Sequence, residues 1–322
     1  MENKNHSANY KNILILDGLN IFVRSYSVDQ TLTLDNIHCG GITGFINCTR
    51  SWITKFNPDA VFICWDGAGG SQHKRSIYKD YKQNRKPLFD KNSNDERDKN
   101  KLWQLATLIE CLKFLPIQQL YADNCEADDI IFYIVSKLKE TKKIIITSDK
   151  DMYQLIDKKT TVYSLAKKCF IDINYLLKED NVHPTNYAMF KSLIGDKSDN
   201  IDGMKGIGPK RAVQLFPFLN EDIKHEINDI KAVINNNSDV RYNAINENID
   251  KLERNYSLIK LSYDHLSLNQ INKIDEAITI SRPLMNILEF RKFLLSKKIN
   301  FQYIDNVLTA FRQIAVVNNE GK

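Results

Sequence analysis

No stretch of this chain holds about 18 consecutive apolar residues, so no membrane-spanning helix is expected. Its six cysteines (Cys39, Cys48, Cys64, Cys111, Cys125, Cys169) are scattered and form no C-x-x-C pair, which disfavours a structural zinc site and leaves free thiols as the expectation. The first ten residues are polar and carry no secretory pattern, and they read as a loose terminus. A reducing cytoplasm is the expected compartment. Neither a G-x-x-x-x-G-K-[ST] loop nor a G-x-G-x-x-G after a strand occurs, so nucleoside-triphosphate and dinucleotide chemistry are disfavoured. The six histidines, His73 and His183 among them, form no cluster that would favour zinc or copper.

What the chain does have is apolar material ending in acid. Ile13-Leu14-Ile15-Leu16 ends at Asp17, Val61-Phe62-Ile63-Cys64-Trp65 at Asp66, and Ile144-Ile145-Ile146-Thr147-Ser148 at Asp149. Such runs, separated by stretches of helical spacing, predict buried strands of a parallel sheet, whose carboxyl ends are where open α/β folds bind ligands. Further acids follow in Glu126-Ala127-Asp128-Asp129, in Asp149-Lys150-Asp151 and in Asp196-Lys197-Ser198-Asp199. Carboxylates gathered so densely repel one another unless cations lie between them.

At 322 residues and 43% apolar the chain can bury a sizeable core, and two domains are expected. The whole chain carries +5, and the stretch Ser71 to Lys101, with ten Lys or Arg against five Asp or Glu, also carries +5. A basic segment beside an acidic site suits a polyanion whose reacting phosphate is held through metal ions.

Gly40 to Phe56 reads as a helix feeding the second strand. The polar stretch from Gly67 to about Asn100 is too long for an ordinary connection and reads either as a solvated loop or as a mobile element that handles nucleic acid. Leu102 to Leu115 and Glu126 to Leu138 are predicted helices, with a short strand through Ile117 to Tyr121 between them. The acids Glu126, Asp128 and Asp129 would also serve as an N-terminal cap, where the helix dipole favours negative charge. From about Asp180 the pattern becomes helical. There Gly206 and Gly208 permit a tight hairpin before Pro209, with Lys205, Lys210 and Arg211 beside an exposed helix start; this reads as a phosphate seat or as a plain turn between helices.

Carboxylates select hard cations such as Mg²⁺ or Mn²⁺. Two such ions roughly 3.5–4 Å apart can drive an in-line phosphoryl displacement, so phosphodiester hydrolysis fits the residues.

Five blocks in fixed order carry a resemblance. They are Leu16-Asp17-Gly18-Leu19-Asn20; Trp65-Asp66-Gly67 followed by Tyr81-Lys82-Gln83-Asn84-Arg85; Glu126-Ala127-Asp128-Asp129; Thr147-Ser148-Asp149-Lys150-Asp151; and Gly195-Asp196-Lys197-Ser198-Asp199-Asn200-Ile201, running into Gly206-Ile207-Gly208. From about Ile13 to Ala212 the chain resembles the 5′-nuclease family: flap endonucleases, the 5′→3′ exonuclease domain of bacterial DNA polymerase I, and stand-alone phage 5′-exonucleases that remove RNA primers. The resemblance implies an α/β fold with a mostly parallel central sheet flanked by helices, a helical arch at about 71–101, and a C-terminal helical domain with a helix-hairpin-helix motif. The expected division is 1–180 catalytic and 181–322 DNA-binding, with the glycine hairpin at 203–212.

By the same resemblance Asp17, Asp66, Glu126, Asp128, Asp149, Asp151, Asp196 and Asp199 hold two Mg²⁺ or Mn²⁺ ions, while Asp129 matches an acid of less settled role. Lys82 and Arg85 contact the scissile phosphate, Tyr81 offers a ring on which a base stacks, and Arg75 matches a basic residue preceding that block. Lys205, Gly206, Gly208, Lys210 and Arg211 grip duplex backbone, commonly with K⁺. The implied substrates are DNA with a 5′ flap or nick and RNA–DNA hybrids, handled by a monomer away from membranes, with a single-strand-binding protein or a clamp as replication partners. Two rivals, a non-catalytic nucleic-acid binder and a small metal-dependent ribonuclease, fit less well: the matched acids are all present, and the glycine hairpin and helical tail are extra to the ribonuclease class.

Overall fold

Each aspartate-ended run forms a buried strand in the computed structural model, which describes residues 10–84, 95–237, 239–279 and 283–316. The strands are β1 (Asn12–Asp17), β2 (Ala60–Cys64), β3 (Gln118–Leu120), β4 (Lys142–Thr147), β5 (Thr160–Ser164) and β6 (Cys169–Ile171). They form one sheet in the order β3-β2-β1-β4-β5-β6, parallel except for the antiparallel β5–β6 pair. Ile15 stands opposite Phe62 on one side and Ile145 on the other. The chain runs outward from β1 to β2 and β3, then returns to lay β4 against the other side of β1. That reversal is a topological switch point, where α/β sheets open a crevice at the strands' carboxyl ends.

The helices are α1 (Gly18–Val28), α2 (Gly40–Phe56), α3 (Gln72–Ile77), α4 (Glu96–Leu112), α5 (Ala127–Lys137), α6 (Ile173–Glu179), α7 (Tyr187–Ile194), α8 (Pro209–Leu215), α9 (Ile227–Asn235), α10 (Val240–Asn246), α11 (Ile249–Ile259), α12 (Leu268–Thr279), α13 (Ile287–Ser296) and α14 (Ile304–Val316). Two short strands, β7 (Gly195–Asp196) and β8 (Ile201–Asp202), pair antiparallel. Helix α2 spans the residues its spacing predicts. Helix α4 starts six residues earlier than its apolar periodicity suggests, because Asp95 caps it by accepting from the Arg97 N–H at 2.9 Å. Residues 85–94, the middle of the expected arch, lie outside the described residues, and so does Arg85.

Alternation along the strands splits the core in two. Ile13, Ile15, Phe62, Ile145 and Val162 face one cluster, which continues through Ile130 and Ile134 of α5 into Leu193 and Leu252 of the later helices. Leu14, Leu16, Ile63, Ile144 and Ile146 face the other, covered by α1, α2 and α4. Residues 283–316, expected with the second domain, pack instead on this second face: Phe290, Leu294, Phe311 and Ile314 are at most 2% exposed within it. Their apolar stripes find the unfilled side of the sheet, a choice periodicity cannot express. Lys143, inside β4 and fully buried, is held by donating Nζ to the carbonyls of Leu138, Lys139 and Thr141 at the end of α5. Among the described residues no helix is long and apolar enough to cross a membrane, and all six cysteines are free.

Candidate active site

Asp17 closes β1 and caps α1, its carboxylate accepting from the Asn20 N–H at 3.3 Å and from Thr147 Oγ1, at the end of β4, at 2.7 Å. Asn20 Oδ1 in turn accepts from the Ser148 N–H at 3.0 Å, so the first block is pinned across the switch point to the fourth. Gly18 belongs to this junction because a Cβ there would come within 2.4 Å of the Trp65 ring; the Leu-Asp-Gly and Trp-Asp-Gly blocks need each other's space. Asp66, two residues beyond β2, accepts from the Ala127 N–H at 2.8 Å and so satisfies the first turn of α5. Asp149 accepts from the Asp151 N–H at 2.8 Å, turning the chain after β4.

Glu126 is the N-cap of α5 and is buried. Lys74 Nζ and Lys82 Nζ hold its two oxygens at 2.7 and 2.6 Å. Burial would raise this carboxyl, but the two ammonium groups outweigh it and bring it down to about 2. Burial would likewise lower Lys74; Glu126, Asp128 and Asp129 raise it instead. A second cationic clamp is Lys191, nearly buried in α7, which donates Nζ to both Asp151 and Asp196. Asp196 is thereby held near 2, against its own burial. At four other acids burial and neighbouring carboxylates outweigh any nearby ammonium and push the other way. Asp17 rises to about 7, through burial first and then Asp149 and Asp66; Asp151 rises to about 6 despite Lys191; Asp128 and Asp66 are also raised.

The structure thus brings together on one rim the acids Asp17, Asp66, Glu126, Asp128, Asp149, Asp151, Asp196 and Asp199. Asp199 accepts from Tyr81 OH at 3.0 Å, while its carbonyl takes the Lys82 N–H at 2.9 Å. Asp129 stands apart from them in role: it closes the capping box of α5 by accepting from the Glu126 N–H at 2.9 Å and faces His265 Nε2 at 3.4 Å. Among the described residues no three acidic, histidine or cysteine side chains cage an ion as they stand, and lysines occupy oxygens of Glu126, Asp151 and Asp196. The donor set nevertheless fits a hard divalent cation: all oxygen, drawn from separate segments, with four of its members held above the usual carboxylate range by burial and neighbouring carboxylates.

Tyr81 requires a correction. At 1% exposure its ring has no face open to a base, and its hydroxyl serves Glu126 at 3.3 Å and Asp199 at 3.0 Å. Lys74 and Lys191 are site residues that motif reading passes over. Lys191 had a signal, being one lysine inside the otherwise apolar Tyr187-Ala-Met-Phe-Lys-Ser-Leu-Ile helix, where burial demands an anionic partner. Arg75 is exposed on α3. Lys205, Gly206, Gly208, Lys210 and Arg211 are exposed around the hairpin, with Gly206 at φ +74°, a conformation suited to glycine, and with Arg211 Nη1 donating to its carbonyl at 2.7 Å. A cleft of about 500 Å³ lined by Asn20, Asp149, Lys191, Asp196, Ser198 and Pro209 joins the acidic rim to the start of α8.

Sequence comparison decides the family. Residues 12–183 match the 5′-3′ exonuclease N-terminal resolvase-like domain, and residues 182–281 match the 5′-3′ exonuclease C-terminal SAM fold. The chain belongs to the 5′-3′ exonuclease family. By that membership it is a 5′-nuclease, a phosphodiester hydrolase. A 5′-3′ exonuclease of Aquifex aeolicus is 27% identical over 94% of this chain and 97% of its own length. The flap endonuclease Xni of Shewanella denitrificans is 33% identical over 63% of this chain and 76% of its own. The chain spans about a quarter of the length of the Caldicellulosiruptor bescii DNA polymerase I that it also matches. In fold it is similar to a bacteriophage T5 flap endonuclease solved as a pseudo-enzyme-product complex with DNA and metal ions, with a TM-score of 0.67 at 17% identity over 88% of this chain and 99% of that one.

Proposed function

We propose that this 5′-nuclease cuts DNA carrying a 5′ flap or nick, and RNA annealed to DNA, with two divalent cations held by Asp17, Asp66, Glu126, Asp128, Asp149, Asp151, Asp196 and Asp199. The observation that carries the reading is the gathering of these acids, interleaved with Lys74, Lys82 and Lys191, at the switch point of the sheet. Bound there, hard divalent cations such as Mg²⁺ or Mn²⁺ supply Lewis acidity and offset charge on the phosphate. The chain's own part is orientation and charge. Lys82 and Lys74 form a cationic pair at the base of the 71–101 segment and draw a phosphate to the rim, and Arg85 is assigned to the same phosphate. Thr147 and Asn20 fix the rotamer of Asp17 and the path after β4, so the two sides of the crevice keep their spacing. The glycine hairpin with Lys205, Lys210 and Arg211 holds duplex backbone, and K⁺ joins it there. Such contacts read shape rather than sequence. A T5 relative in fold solved with DNA and metal ions supports the reading.

The test is a 5′-labelled flap duplex incubated with Mg²⁺ and, separately, with EDTA, the products being sized. Release of the flap or of short 5′ products with Mg²⁺ alone is expected. Binding without cleavage in both Mg²⁺ and Mn²⁺ would show that the acids serve structure only.

A further inference from the structure

Helix α11 lies in the helical region after the motif-bearing blocks, yet one of its faces touches both halves of the active site. Lys251, Arg254 and Asn255 stand at i, i+3 and i+4 and so project from the same side. Asn255 is fully buried, and its Nδ2 donates to the carbonyls of Ser192 at 3.2 Å and Asp202 at 2.8 Å. Ser192 follows Lys191, the lysine that clamps Asp151 and Asp196, and Asp202 ends the strand pair that carries Asp196 and Asp199. Lys251 Nζ donates to the Gly203 carbonyl at 3.0 Å, one residue further on.

Arg254 reaches the other way. Its guanidinium carbon sits 4.2 Å from the centroid of the Tyr78 ring, a close cation–π contact. Tyr78 lies midway between Lys74 and Lys82, four residues from each, and is wired to both stretches: its N–H donates to the Lys74 carbonyl at 2.9 Å, and its carbonyl accepts from the Tyr81 N–H at 3.0 Å. Arg254 Nη2 donates to Asn255 Oδ1 at 3.1 Å, which joins the two arms. Its Nε, by contrast, is buried with no hydrogen-bond partner among the described residues. A guanidinium that leaves a donor unpaired while stacking on one ring is placed for that ring rather than for hydrogen-bond satisfaction.

We infer that Lys251, Arg254 and Asn255 form a positioning face that sets the two lysine-bearing segments, 74–82 and 191–202, in register across the acidic rim. None of the three touches the reacting atoms. Asn255 and Lys251 fix where Lys191 and the Asp196–Asp199 turn lie, and Arg254 fixes Tyr78 and through it Lys74 and Lys82. The helical domain would then do more than hold duplex, because it completes the geometry of the chemistry. This inference rests on the nuclease reading above.

The deciding experiment compares single-turnover cleavage of a 5′-flap duplex at saturating enzyme with the affinity for the same duplex in Ca²⁺. The proteins are the wild type, Arg254→Ala, Arg254→Lys, Lys82→Ala and the Arg254→Ala/Lys82→Ala double variant. Arg254→Ala is expected to cleave about tenfold more slowly, a loss typical of sub-ångström misplacement, with affinity within about twofold of wild type. Arg254→Lys, keeping a cation over the ring, recovers part of that rate. On the Lys82→Ala background the Arg254→Ala change costs clearly less than on the wild-type background, since part of its effect passes through that lysine and the rest through Lys74. Should Arg254→Ala not fold, Tyr78→Leu removes the other partner and carries the same expectations. An unchanged rate, a loss confined to affinity, or full additivity with Lys82→Ala would each overturn the inference. If the wild type itself does not cleave, the nuclease reading falls and the inference falls with it.

Discussion

Asp17 sits where the backbone puts it rather than where a carboxylate prefers to be. It is the last residue of β1 and is buried, with Thr147 Oγ1 and the Asn20 N–H as its partners. Burial first, then Asp149 and Asp66, raise its pKa from 3.8 to about 7. The sign of the consequence is fixed. The folded state binds a proton that the unfolded state has released, so this carboxyl's contribution to stability is present in full below about pH 4 and is lost as pH rises through 7. In EDTA, Asp17→Asn is therefore expected to gain on the wild type by about 2–4 kcal/mol between pH 4.5 and 8. Urea unfolding at the two pH values measures it, and a pH-independent difference between the proteins would contradict it. This residue was legible: an acid at the end of a β-branched run announces a strand's carboxyl end. Its pKa was not, because that depends first on how deeply the fold buries it and then on Asp149 and Asp66, which are distant in sequence. Tyr81 shows the opposite case, a motif residue whose role changed once its ring proved to be buried between Glu126 and Asp199.

At the level of elements, α7 joins the fold to the site. Its apolar residues Ala188, Met189, Phe190 and Leu193 pack into the first core, and Lys191 turns from the same helix to Asp151 and Asp196. Removing one partner of a buried ion pair leaves the other charge uncompensated, which costs about 3–5 kcal/mol. Lys191→Met should lose about that much stability at pH 8 without divalent ions and visibly less with 10 mM Mg²⁺ (an amount chosen to be roughly saturating), because a cation can take over part of the ammonium's task. Equal losses in the two conditions, read from denaturant midpoints, would show that Asp151 and Asp196 do not share a cation site. Strands β1 to β4 and α2 were readable from periodicity and turn residues, whereas the edge strands β5 and β6 are too short and too polar to stand out. Helix α1 was not, because it follows β1 with no intervening turn and its cap, Asp17, doubles as a site acid. Helix α11 escaped for another reason: Arg254 and Asn255 gain meaning only from Tyr78 and Ser192, which the fold brings beside them.

Over the whole molecule, the sheet needs cover on two faces, and the chain supplies it from both of its ends. The face formed by Leu14, Leu16, Ile63 and Ile146 is closed by α1, α2 and α4 together with α13 and α14. Phe290, Leu294, Phe311 and Ile314 each bury a full side chain there, worth roughly 1.5–3 kcal/mol apiece. Their sum rivals the 5–15 kcal/mol total stability of an ordinary domain. Truncation after residue 282 is thus expected to give a chain that is insoluble or lacks a cooperative melt by circular dichroism. A soluble product melting at the wild-type temperature would show that these helices are an appendage. Sequence alone determined the three aspartate-ended strands, the short strand that follows α4 and the five ordered blocks, since each depends on residues adjacent along the chain. Only the tertiary structure decided which lysines neutralise which acids, that Tyr81 is buried, and that the last two helices close the far face of the sheet. Each of those outcomes depends on contacts between segments tens to hundreds of residues apart, and periodicity along one segment carries no record of its partner.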